Sequence, residues 1–140
     1  MKMEIYAIKP KSEKYSLMAT LGSVSAGEPL DAENSLERID LNEFITDGQT
    51  DVYFIRASGD SMEAEIKSGD WLVVNRNLEP AAGNTVIASV NGDYTVKIYS
   101  PCRNGLRLVS ANEKYAPRLM KRKDNCEIFG VVTHILHKCR

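Results

Sequence analysis

Thr85-Val86-Ile87-Ala88-Ser89-Val90-Asn91-Gly92-Asp93-Tyr94-Thr95-Val96-Lys97-Ile98-Tyr99 is the stretch on which the fold turns. β-branched and aromatic residues fill both halves, and Asn-Gly between them supplies the left-handed positions that a two-residue hairpin needs. If Asn91-Gly92 is that turn, Val90 faces Asp93 and Lys97 faces Val86. Lys97 then shares a strand face with Thr95 and Tyr99, while Val96 and Ile98 take the other. A lysine in so apolar a strand is either solvated on an exposed face or held in a partly dry site. The pattern alone leaves both readings open.

Outward from the hairpin, the same strand signals recur. Val52 to Ile55 and Trp71 to Val74 are short β-branched and aromatic runs, the second introduced by the turn Ser68-Gly69-Asp70. Leu106 to Val109 and Glu127 to Leu136 predict two more strands. Leu41 to Ile45 predicts a short helix with Asp40 as its N-cap. There is no internal repeat and no low-complexity tract. The expected fold is mostly β, with one short helix.

Composition narrows the function. A chain of 140 residues with 43% hydrophobic and 26% charged side chains is an ordinary soluble globular protein. Eighteen Lys and Arg against nineteen Asp and Glu leave a net charge of −1, which argues against a generic electrostatic grip on a nucleic-acid backbone. No run approaches the ~20 apolar residues that cross a bilayer, so no membrane association is expected. Cys102, Cys126 and Cys139 are odd in number and irregularly spaced. They argue against a disulfide framework and a paired-cysteine zinc site, and point to a reducing, cytoplasmic setting.

Residues 1–26 form a distinct arm. Lys2, Lys9, Lys11 and Lys14 against Glu4 and Glu13 give it a charge of +2, leaving −3 for residues 27–140. The run Tyr15 to Leu21 followed by Val24-Ser25-Ala26 imitates a secretory signal. Glu4, Pro10 and Glu13 interrupt its charged part and Ser16 and Thr20 its apolar part, so export is not expected. Gly22, Ser23, Ser25, Gly27 and Pro29 make a turn-prone joint that can lie extended and be reached by a protease.

Few residues offer chemistry. His134 and His137, three apart on a predicted strand, point to opposite faces and cannot easily share a metal. No phosphate-cradling glycine loop is present, so neither metal nor cofactor is expected. The run Ser58-Gly59-Asp60-Ser61-Met62 lies between two predicted strands. A serine on such a turn can expose its hydroxyl beside backbone N–H groups, as an acyl-transfer nucleophile requires, although the composition is common to ordinary turns. A serine nucleophile needs a base. Without a suitable histidine, Lys97 can serve if burial lowers its pKa from ~10.4 and leaves it neutral.

Four motifs, in order, carry a resemblance over nearly the whole chain. Val24-Ser25-Ala26-Gly27-Glu28-Pro29, Ser58-Gly59-Asp60-Ser61-Met62, Gly69-Asp70 and Gly92-Asp93-Tyr94-Thr95-Val96-Lys97 resemble the LexA/UmuD family of self-cleaving Ser–Lys proteins, peptidase S24. Asn112-Glu113-Lys114-Tyr115-Ala116-Pro117 and Phe129-Gly130-Val131-Val132 resemble it too. The chain departs from the pattern at Asn84, where an aspartate is common, and in a slightly short segment from Ser61 to Gly69. Both departures bear on fine geometry rather than on the Ser–Lys pair.

The resemblance implies a small, strongly twisted β-sheet body of the family's C-terminal-domain type, carrying a flexible N-terminal arm. It implies that Ser61 is the nucleophile, that Lys97 is the general base, and that the bond cut is Ala26–Gly27. Residues 1–26 would be the cleavable arm and residues 27–140 a self-cleavage and dimerisation domain. The partners implied are a second copy of the chain, the RecA filament on single-stranded DNA, and a UmuC-type subunit of an error-prone translesion polymerase. The 26 residues ahead of the cut are too few for a helix-turn-helix domain, so direct DNA binding is not expected. The rival readings are a Ser–Lys protease acting on foreign substrates, a non-catalytic interaction module and, more weakly, a DNA-binding repressor, for which no reading helix is visible. The basic run Lys114 to Lys123 reads first as a solvated loop, with contact to a partner or nucleic acid as the alternative.

Overall fold

In a computed structural model of the chain, the described residues are 4–7, 18–20 and 37–140, with side chains described from residue 40 onward. The fold is mostly β. Its strands are β1 (Glu4–Ala7), β2 (Met18–Thr20), β3 (Glu37–Ile39), β4 (Val52–Arg56), β5 (Trp71–Asn75), β6 (Thr85–Val90), β7 (Asp93–Cys102), β8 (Gly105–Val109), β9 (Arg118–Leu119) and β10 (Cys126–Leu136). The helix α1 spans Leu41–Thr46.

The chain divides into two compact units, residues 1–8 with 51–140, and residues 9–50. The first is an 8-stranded antiparallel sheet in the order β1-β4-β5-β10-β6-β7-β8-β9. The second holds the antiparallel pair β2–β3 and α1. Asp40 caps α1 as its sequence suggests, accepting from the Asn42 and Glu43 amides at 2.9 and 3.4 Å. Ile45 is its buried side chain, and Phe44 stands 62% exposed.

The hairpin has the register expected of it. Val90 pairs with Asp93 and Val86 with Lys97, across a turn whose φ values are +51° at Asn91 and +88° at Gly92. Both are left-handed, as a type I′ turn demands. Hydrogen bonds also tie this turn to the start of β10: Asn91 N–H donates to the Asn125 carbonyl at 2.8 Å, and Asn125 N–H to Asn91 Oδ1 at 2.9 Å.

The six strands read from the sequence between Val52 and Leu136 are all present, with ends differing by a few residues. The pairs involving β1, β2, β3 and β9 were not expected, and two of these strands, β1 and β2, lie within the arm 1–26. β1 pairs with β4, Glu4 opposite Arg56 and Ala7 opposite Tyr53. These strands have two to four residues, too few for alternation to register as a pattern.

β10 bridges the two halves of the large sheet, pairing with β6 through its first half and β5 through its second. Its register slips between Ile128 and Gly130 and again between Val132 and His134. Such bulges increase local twist and let one long strand serve two neighbours. Gly130 is required at the first. A Cβ there would lie 2.7 Å from Val74 Cγ1 and 3.1 Å from the Asn75 carbonyl oxygen. The main core gathers Ile55, Ala57, Met62, Ile66, Leu72, Val74, Ile87 and Val96, and a smaller cluster holds Ala88, Val90 and Leu108.

Candidate active site

The Ser58–Met62 run leaves β4 as a closed loop. Ala57 N–H donates to the Asp70 carbonyl and Gly69 N–H to the Ala57 carbonyl, each at 2.8 Å, so the loop's two ends are clamped together. Gly59 turns the chain with φ +96°, a conformation that costs other residues energy. One helical turn follows, closed by Ile66 N–H to the Met62 carbonyl at 2.7 Å. Met62 and Ile66 lie on one side of that turn and are fully buried. Ser61, beside Met62, is only partly buried. The fully buried Met62 beside it ties its backbone to the core.

A second segment docks on this turn. Asn112 N–H donates to the Ser61 carbonyl at 3.0 Å, Asn112 Nδ2 to the Asp60 carbonyl at 2.9 Å, and Ala111 N–H to Met62 Sδ at 3.2 Å. Two residues earlier, the Ser110 hydroxyl accepts a hydrogen bond from Lys97 Nζ at 2.8 Å. Ser61 and Lys97 are thus tied to the same three residues, Ser110 to Asn112. The amine's partner is the Ser110 hydroxyl, not that of Ser61.

Lys97 is in the partly dry setting. Its cross-strand neighbour on the same face, Val86, is fully buried, and burial lowers the amine from its ordinary 10.5. The Tyr115 ring stands 5.9 Å from its nitrogen, within cation–π range. The Tyr115 hydroxyl donates to the Asp60 carboxylate, and Lys114 pairs with the same carboxylate at 3.4 Å. That hydroxyl bond is the main cause holding the Asp60 carboxyl below its ordinary value, and in return it raises the Tyr115 hydroxyl. Asp60, the residue before Ser61, is in this way linked through Tyr115 to the surroundings of Lys97.

The other candidates fall elsewhere. Ala26 and Gly27 lie outside the described residues. His134 Nδ1 is 2.9 Å from Thr133 Oγ1, whereas His137, beyond the end of β10, is 2.6 Å from Asp70 Oδ1. The two histidines serve separate contacts, and among the described residues no group of His, Cys, Asp and Glu could hold a metal ion. All three cysteines are free thiols. No helix among the described residues is long and apolar enough to cross a membrane. The basic run is mostly exposed and partly neutralised, by Lys114 with Asp60 and by Arg118 with Asp124 at 3.3 Å.

Sequence reasoning did not find Ser110. Nothing near it in the chain marks it, because its contact with Lys97 exists only once β8 has paired with β7. Asn112 and Tyr115 stood in a motif that pointed to the family without showing what those residues touch.

The Peptidase S24-like pattern matches residues 19–133 of the chain. The chain belongs to that family, whose members are self-cleaving serine peptidases. It is 40% identical to Protein ImpA of Salmonella typhimurium over 82% of its length and 79% of that protein. To Protein MucA of Escherichia coli it is 35% identical over 97% of its length and 94% of the relative. To the LexA repressor of Sorangium cellulosum it is 34% identical over 86% of its length, spanning 54% of that longer protein. The mostly β body thus carries an S24 peptidase of the LexA/UmuD type.

Proposed function

We propose that this chain cuts itself between Ala26 and Gly27, with Ser61 as nucleophile and a neutral Lys97 as general base. The observation that carries the reading is the shared anchorage of the two residues. Ser61's backbone and Lys97's amine are both bonded to the segment Ser110–Asn112, and Lys97 sits where burial disfavours its charge. Family membership supplies the reaction class.

The step balances without a cofactor. The Ser61 oxygen attacks the Ala26 carbonyl as its proton passes to Lys97, and the ammonium then protonates the departing Gly27 amine. Water hydrolyses the acyl-enzyme, with Lys97 again acting as base. A small Ala26 and a β-branched Val24 suit a narrow cleft that takes an extended strand. Tethering makes weak docking sufficient, since effective concentrations reach the millimolar range.

In this reading cleavage belongs to the response to DNA damage. The RecA filament on single-stranded DNA favours the docked state of the arm. The processed residues 27–140, as a homodimer, act as accessory subunit to a UmuC-type translesion polymerase. ImpA and MucA are matched along most of their own length, whereas the LexA repressor is matched over 54% of its own. The test is intact-mass analysis of the purified chain with and without RecA filaments. Accelerated release of residues 1–26 is expected; a chain equally intact in both arms would refute the regulation.

A further inference from the structure

We propose that Ser110 is a positioning residue for the Lys97 amine, holding its nitrogen at the segment that also anchors Ser61. This rests on the Ser–Lys reading above. Ser110 is 9% exposed, so its hydroxyl is a built part of the interior rather than a surface group that Lys97 happens to meet. It opens the segment whose third residue, Asn112, bonds the Ser61 and Asp60 carbonyls. A long lysine side chain has four rotatable bonds, and a single fixed acceptor at 2.8 Å removes much of that freedom.

The chemistry needs such a partner. A neutral amine offers one lone pair, which must face the Ser61 hydroxyl. If Ser110 Oγ accepts one N–H, the lone pair is left free for the proton. After transfer, the ammonium keeps that acceptor while it carries the proton toward the leaving amine. Val86, opposite Lys97 on β6, is apolar; Thr95 and Tyr99 share the lysine's face of β7, but the hydroxyl that accepts from the amine is that of Ser110. The Tyr115 ring stands 5.9 Å from the amine, and Lys114 and Asp60 contact that tyrosine in turn. Among the described residues no carboxylate lies within ion-pair distance of Lys97, so a neutral hydroxyl holds the amine without fixing it in the charged form.

Two measurements on the full chain test this. The first is the pH–rate profile of self-cleavage for wild type, Ser110→Ala and Ser110→Thr. Ser110→Ala is expected to lower the alkaline plateau about tenfold or more, because misplacing a catalytic group is costly. It also moves the midpoint to lower pH, because the ammonium loses its acceptor. Ser110→Thr, which keeps the hydroxyl, restores both.

The second is the pH dependence of Lys97 acylation by acetic anhydride in the uncleavable Ser61→Ala chain, with and without Ser110→Ala. The same downward shift is expected, and this readout does not depend on cleavage. An unchanged plateau and midpoint, or a slower rate at an unchanged midpoint, would overturn the role of Ser110 while leaving the Ser–Lys reading intact. Cleavage persisting in Ser61→Ala would remove the Ser–Lys reading and this inference together.

Discussion

Lys97 Nζ lies 2.8 Å from Ser110 Oγ, across a gap of thirteen residues that the β7–β8 hairpin closes. The bond fixes where the amine can be, and burial lowers its pKa. Because the amine's pKa is lowered, the fraction of neutral Lys97 rises with pH and becomes appreciable below its ordinary 10.5. Self-cleavage is therefore expected to accelerate as pH rises, with a midpoint below that value. Lys97→Arg should be inactive at every accessible pH, since a guanidinium stays protonated. A time course of fragment formation between neutral and alkaline pH checks both.

Asp70 gives a pH dependence of opposite origin. Burial acts to raise its carboxyl, but the contact with His137 and the hydrogen bond from the Lys67 amide at 2.9 Å outweigh it and hold the group below 3.8. A depressed carboxylate contributes stability that is present above its unfolded value and is lost as pH falls through the folded one. Urea unfolding should thus show wild type losing stability below about pH 4, the ordinary carboxylate range. Asp70→Asn should flatten that loss and cost about 1–3 kcal/mol at neutral pH, the range for a buried group that loses its hydrogen-bonding partners.

Gly130 has no room for a side chain. With a Cβ 2.7 Å from Val74 Cγ1, Gly130→Ala forces β10 away from β5. The expected cost is about 1–3 kcal/mol, the usual range for overpacking. A lower urea midpoint with an unchanged slope would show it.

Met62 couples the core to the site. Its side chain is fully buried and its sulfur accepts the Ala111 amide, so Met62→Ala removes both packing and the docking of Ser110–Asn112. A loss of about 2–5 kcal/mol is expected from the cavity alone. Self-cleavage should fall at temperatures where circular dichroism still reports a folded chain.

Much of this was legible in the sequence. Asn91-Gly92 fixed the register that puts Lys97 opposite Val86, because a two-residue turn leaves the pairing no freedom. Asp40 marked the helix start through its capping side chain. Gly-Asp-Ser marked the turn at Ser61. The order and spacing of the motifs pointed to the family that the comparison with known proteins shows. What the sequence could not display were contacts between distant segments. The bond from Lys97 to Ser110, the hold of Tyr115 on Asp60 over a separation of 55 residues, and the bulges of β10 arise only when strands pair. His137 illustrates the same limit: it follows the end of β10, as the predicted strand ending at Leu136 implied, but nothing in the sequence marked its contact with Asp70, 67 residues away.

The most direct test is the mass of the chain after alkaline incubation in the absence of any other protease, for wild type, Ser61→Ala and Lys97→Ala. The account predicts that wild type yields a fragment ending at Ala26 and one beginning at Gly27, and that both variants remain whole. Either variant releasing the same two fragments at the wild-type rate would contradict it.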